Sequence, residues 1–139
     1  MQKLKLTVVS QEKKLLETEV ESVSAVTTQG EITVLARHIP LFTQLQTGEL
    51  RYLEGDKEHS IVVSEGFLTV NPNNEVIVMV DTATLARDIS VKQAEEAIAA
   101  AKETMKISED RRELILAEAS LKRAMLEIKV AQKRGTSGV

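Results

Sequence analysis

The sequence predicts an all-β sandwich over residues 1–86 followed by a two-helix α-helical hairpin over 87–139, α+β overall. Three observations carry that reading. Both prolines (Pro40, Pro72) and four of the six glycines (Gly30, Gly48, Gly55, Gly66) precede residue 87, and neither type recurs between Pro72 and Gly135. Helices tolerate so long an unpunctuated stretch, whereas multi-stranded sheets rarely show one. Apolar residues alternate at period two in the first half and recur at a helical period in the second. Charge divides as well: residues 1–86 carry net −5 and residues 87–139 net +2.

Leu4, Leu6 and Val8 alternate with Lys3, Lys5 and Thr7, the pattern of a half-buried strand. A second alternation runs from Val20 to Val26, with Val20, Ser22 and Ser24 on one side and Glu21, Val23 and Ala25 on the other. Further β-branched runs occupy 31–35, 48–53, 60–64, 67–70 and 76–80. Turns at Thr28-Gln29-Gly30, Glu54-Gly55-Asp56 and Asn71-Pro72-Asn73-Asn74 separate them. Ser90 and Gln93 have the S-x-x-Q spacing of a capping box, so the first helix is expected to start there. Its stripe is Val91, Ala94, Ala97, Ile98, Ala101 and Met105. Ser108, with Glu109 and Asp110 behind it, marks the expected start of the second helix. That helix carries Leu114, Ala117, Leu121, Ala124, Met125, Ile128 and Ala131, and the tail 135–139 is expected to fray.

No glycine or proline enforces the turn between the helices. A docked hairpin and a more extended pair are therefore both open, since an alanine stripe buries little area to lose.

Composition excludes several functions. Zero cysteines remove disulfides, thiolate metal sites and cysteine nucleophiles. Three aromatics (Phe42, Tyr52, Phe67) are too few for base-stacking platforms, and the net charge of −3 argues against nucleic acid. Two histidines cannot make a histidine-rich metal site. The chain shows no signal-peptide core and no apolar run near the ~20 residues of a bilayer span, so the expectation is a soluble, cytoplasmic protein.

No phosphate-binding glycine loop, zinc motif or nucleophile elbow occurs. His38, before Ile39-Pro40, reads as the end of a loop, and His59, in Asp56-Lys57-Glu58-His59, as a solvated side chain. Asp81 reads as a turn cap rather than an acid catalyst. No enzyme activity, cofactor or metal is expected of this chain. From Ala119 onward Lys122, Arg123, Lys129, Lys133 and Arg134 face Glu127 alone. That is either a solvated helix end complementing its dipole or a handle for an acidic partner.

The segment Gly30-Glu31-Ile32-Thr33-Val34-Leu35-Ala36-Arg37-His38-Ile39-Pro40-Leu41-Phe42-Thr43-Gln44-Leu45-Gln46-Thr47-Gly48 resembles the signature of the epsilon subunit of F-type ATP synthases. It has the glycine, the aliphatic alternation, the H-x-P and T-x-L, and the glycine before the next strand. Ser64-Glu65-Gly66-Phe67-Leu68-Thr69-Val70 is similar to that family's glycine-aromatic strand, and Val76-Ile77-Val78-Met79-Val80-Asp81-Thr82-Ala83 to its next strand and D-x-A. Ala86-Arg87-Asp88-Ile89 resembles the lead-in to its helices, and Lys122-Arg123-Ala124-Met125 a run in the second helix.

The resemblance implies a ten-stranded sandwich and a mobile hairpin in a central-stalk subunit of a rotary motor. The sandwich would bind the gamma subunit and rest on the c-ring, with Glu31 and His38 as ring contacts. The hairpin would extend toward the beta (and alpha) subunits of the catalytic head and block ATP hydrolysis through Arg111, Arg112, Lys122, Arg123, Lys129 and Lys133. The subunit would lie at the cytoplasmic face of the cell membrane as a peripheral protein, a plastid thylakoid being the other setting, with protons or sodium ions as the coupling ion.

Some members bind ATP through an I-D-x-x-R-A motif. Here the stretch is Ile89-Ser90-Val91-Lys92-Gln93-Ala94, and Glu127 falls where a phosphate contact would want a base. Weak or no nucleotide binding is therefore expected. The alternative of a different class is a stand-alone nucleotide-sensing or adaptor module of the same architecture.

Overall fold

A computed structural model of the chain describes residues 2–136 and divides into two compact units, Met1–Thr84 and Leu85–Val139. The division falls two residues earlier than expected. The reason is local: Ala86–Asp88 forms a single 3-10 turn against the second helix, and Leu85 and Ile89 beside it are buried.

The first unit is built from β1 (Leu4–Val9), β2 (Lys14–Val20), β3 (Ser22–Thr27), β4 (Gly30–Leu35), β5 (Leu41–Leu45), β6 (Gly48–Glu54), β7 (Lys57–Val63), β8 (Gly66–Asn71) and β9 (Glu75–Val80). A short β10 (Ala83–Leu85) follows. Neighbouring strands run β10-β7-β6-β3-β5-β8-β9-β1-β2, with β4 on the other side of β3. β3 passes from β6, which it meets at Ser22–Ser24, to β5, which it meets at Thr27. That handover folds the path into two layers, β4-β3-β6-β7-β10 and β5-β8-β9-β1-β2. The alternating residues Leu4, Leu6, Val8, Val23, Leu50, Ile61, Leu68, Val76 and Val78 fill the space between the layers, each almost fully buried.

The hairpin turns sit where the turn residues predict. Gly30 (φ 122°) and Gly55 (φ 63°) supply the positive φ that the β3–β4 and β6–β7 turns require.

Three strands differ from the sequence reading. The alternation across Val20–Val26 is broken: Val20 and Val23 are both buried, because the chain bends at Glu21 and changes phase. The bend is tertiary in origin. The Glu21 amide donates to the Leu53 carbonyl at 2.8 Å, and its carboxylate accepts from the Gly55 amide at 2.8 Å. β5 follows directly on the His38-Ile39-Pro40 loop and is held by β8 in register Leu41↔Val70 to Leu45↔Gly66. The β10 segment is three residues long, too short to show a period.

In the second unit α1 (Val91–Ile107) is capped by Ser90, whose hydroxyl accepts from the Gln93 amide at 3.2 Å. α2 (Arg111–Thr136) begins later than expected. Asp110 is its cap, accepting from the Arg112 amide at 2.9 Å, while Ser108 ends α1 and reaches the Glu113 carboxylate at 2.6 Å. The helices pack through small residues: Ala94 and Ala101 of α1 and Ala117, Ala124 and Ala131 of α2 are buried. Val91, Met105 and Met125, placed on the stripes by spacing, are exposed, and Val130 is buried instead. α2 includes Gly135 and Thr136, and the rest of the tail expected to fray lies outside the described residues. No helix among the described residues is long and apolar enough to cross a membrane.

Candidate functional site

The outer face of the second layer carries a feature that spacing alone did not reveal. β8 and β9 pair Phe67 with Met79, and β5 and β8 pair Phe42 with Thr69, so Phe42, Phe67 and Met79 share the outward face. The two phenyl rings stack with centroids 5.3 Å apart and planes inclined by 16°. All three side chains remain open to solvent, Phe42 by 66%. Val9, beside Met79, and Ile77, beside Thr69, extend the apolar surface half-buried at its margin. Two of the chain's three aromatics are thus stacked on the outside. Scattered exposed hydrophobes need no explanation, whereas these side chains are neighbours on one face and two of them are stacked. The available signal was Phe42 and Phe67 falling opposite in phase to Leu41 and Leu68; reading it required the register.

Glu31 and His38 lie at opposite ends of β4 and its following loop, and the structure does not bring them together as one site. Glu31 is exposed and ion-paired to Arg51 across the first layer, a partner that sequence reasoning missed. His38 stands in the β4–β5 loop, half-buried, with its amide donating to the Leu35 carbonyl at 3.1 Å and its Nδ1 2.6 Å from the Ile39 carbonyl. Ile39 beside it is 75% exposed. Arg37, at φ 69°, fixes the loop by donating its amide to Asn74 Oδ1 at 2.7 Å and its Nε to Gln2 at 2.7 Å.

The basic residues of α2 fall into two groups. At 3.6 residues per turn, Arg111, Lys122, Lys129 and Lys133 lie within about 40° of one another, whereas Arg112 and Arg123 lie about 100–120° round from Arg111. The first group is exposed and shares its line with exposed Ile115 and Met125; Arg123 is half-buried. The six cations named from sequence therefore make a single-file line and a flank.

Other candidates change role. Ser90 is a helix cap, and Gln93 offers it a backbone amide. Asp81 accepts from Gln11 Nε2 at 3.1 Å and thereby ties the β1–β2 turn to the end of β9. His59 is not simply solvated: it is half-buried and stacked on Tyr52 with ring centroids 5.1 Å apart. Among the described residues no group of three or more histidines, cysteines or carboxylates is placed to hold a metal.

Residues 3–86 match the family model of the ATP synthase delta/epsilon chain beta-sandwich domain. Across 96% of both chains the sequence is 43% identical to an ATP synthase epsilon chain of Dehalococcoides mccartyi. The chain belongs to the ATP synthase epsilon family. A second epsilon chain, from Herpetosiphon aurantiacus, is 37% identical over 94% of this chain and 96% of its own.

A solved chain in the mitochondrial ATP synthase of Euglena gracilis, in an OSCP/F1/c-ring assembly, superposes with a TM-score of 0.74 at 28% identity. The match covers 89% of this chain and 78% of the other. A chain from the central stalk and c-ring of the Tetrahymena thermophila enzyme shares the fold, with a TM-score of 0.65 at 15% identity over 94% of this chain and 97% of that one. Epsilon chains are structural and regulatory subunits of the synthase rather than its catalytic ones, and this chain is of that kind.

Proposed function

We propose that this epsilon-family chain is a central-stalk rotor subunit that couples a gamma subunit to the c-ring of a proton- or sodium-translocating ATP synthase and restrains ATP hydrolysis through α1 and α2. The observation that carries the reading is the ordered Phe42–Phe67–Met79 face. It is apolar, outward and stacked, the surface a permanent partner would cover, and we assign it to gamma. Glu31, with Arg51, and the His38 loop are the surfaces assigned to the c-ring. The line of Arg111, Lys122, Lys129 and Lys133, flanked by Arg112 and Arg123, is assigned to an acidic segment of a beta subunit in the catalytic head. The relevant setting is the cytoplasmic face of the cell membrane, with the chain held there through the complex.

Neither nucleotide nor metal is needed for this role. Glu127 and the cap geometry at Ser90 and Gln93 support weak or no ATP binding.

The test is ATP hydrolysis by a matched catalytic head that contains gamma and lacks epsilon, before and after adding this chain. Hydrolysis is expected to fall. Replacing Phe42 and Met79 together by serine is expected to weaken binding at least about 30-fold, the effect of losing buried hot-spot contacts. Reversing Lys122 and Lys129 to glutamate should leave binding intact and relieve the inhibition. Absence of both binding and inhibition by the native chain would overturn the rotor assignment. Binding without inhibition would leave a coupling subunit alone.

A further inference from the structure

We propose that His59 is a proton-operated pin between the two layers of the sandwich, drawing in Glu54 when its buried Nε2 is protonated. His59 lies opposite Tyr52 in the β6–β7 register, and the ring stack fixes the imidazole in place. Its Nε2 is shielded from solvent and has no hydrogen-bond partner among the described residues. Glu54 Oε1 is 3.5 Å away, short of a formed bond but within reach of one. The other oxygen of the same carboxylate accepts from Thr18 Oγ1 at 2.7 Å. Thr18 is on β2 and Glu54 on β6, strands of different layers, so this carboxylate bridges the sandwich where its layers approach at one edge.

The charged groups around the ring carry both signs. Glu54 faces the ring from β6, and Thr18 on β2 contributes a neutral hydroxyl. On β7 itself Lys57, cross-strand from Glu54, opposes a cation, while Glu58 points to the opposite face. Asp56 in the turn, and Glu21 holding the Gly55 amide, add negative charge nearby. β3 and β10 contain no titratable side chain.

A neutral ring with its proton on Nδ1 turns a desolvated acceptor toward a carboxylate, and one with its proton on Nε2 offers only a neutral donor. Protonation of the ring makes Nε2 a charged donor aimed at that carboxylate, a charge-assisted bond. Imidazole is the side chain whose charge changes between about pH 5 and 8. The β6–β7 hairpin is thus tightened onto β2 in mild acid and loosened in mild alkali. The contact is partly open to water, so salt weakens it.

Nuclear magnetic resonance on the full chain tests this between about pH 8 and 5, with His38 as the internal reference. The Thr18 and Gly55 amide signals are expected to follow the His59 titration and not that of His38. Denaturant unfolding should show the folded state gaining about threefold in equilibrium constant in acid, relative to His59→Gln. Glu54→Gln, a change at an accessible carboxylate, should abolish both effects. His59 titrating with Thr18 unmoved, or the acid gain persisting in His59→Gln or Glu54→Gln, would overturn the proposal.

Discussion

Gly66 opens β8 opposite Val80 of β9. A Cβ there would intrude on the Met79 carbonyl oxygen and lie 2.7 Å from Val80 Cα, with backbone on both counts and no flexible side chain to yield. Gly66→Ala is therefore expected to destabilise the sandwich by about 3 kcal/mol, measured by denaturant unfolding of the full chain. Glu17 shows a gentler effect. Lys14 and then Lys5 hold its carboxyl below the usual carboxylate range, at 3.5 and 3.4 Å. A carboxyl depressed in the folded state contributes stability above its unfolded titration point and loses it as pH falls through the folded one. The pair is exposed, so the contribution is small. Lys14→Met should move the Glu17 titration, followed by the side-chain carbonyl resonance, back toward the ordinary carboxylate value. No movement would show that Lys5 alone sets it.

At the scale of elements, the hairpin's joint is more structured than its sequence suggests. Ser108 closes α1 and Asp110 opens α2, so two capped ends meet across three residues without glycine or proline. Asp110→Ala should cost about 1 kcal/mol of helix stability and fray the first turn of α2, seen as faster amide exchange at Arg112 and Glu113. Unchanged exchange there would mean that Ser108 can replace the cap. What was legible at this scale was local chemistry: the Ser90 cap, the Gly55-Asp56 turn, the alternation of β1 and the β-branched run of β9. What was not legible depended on partners distant in sequence. The phase change at Glu21 needs Leu53 and Gly55, β5 needs β8, and the choice between Ser108 and Asp110 needs the helix ends themselves. The Phe42–Phe67 face and the His59–Tyr52 stack share that cause, since each pairs residues that only register brings together.

At the scale of the whole molecule, the division after Thr84 gives the two units separate cores: mainly β-branched and leucine residues in the first, and alanines with Leu85, Ile89 and Val130 in the second. A chain ending at Ala86 keeps all ten strands and is expected to unfold cooperatively on its own and to retain binding to gamma. Dispersed amide resonances and co-elution with gamma would check this; a disordered spectrum would show that the helices are required for the sandwich to fold. Family membership was legible in the Gly30–Gly48 segment because that segment combines a turn glycine, a strand and a proline-ended loop in fixed order.

The parallel pairing of β1 with β9 has a kinetic consequence. Lys5 lies beside Glu75 and Val9 beside Met79, so β1 finds one of its two neighbours seventy residues later. On a ribosome, β1 can close a hairpin with β2 early, but its other edge stays bare until β9 has emerged. Contacts of such high sequence separation must be reached through a long loop closure, which slows folding. The N-terminal hairpin is thus the part of the nascent chain open longest to chaperones, and β9 is the strand whose arrival ends that exposure.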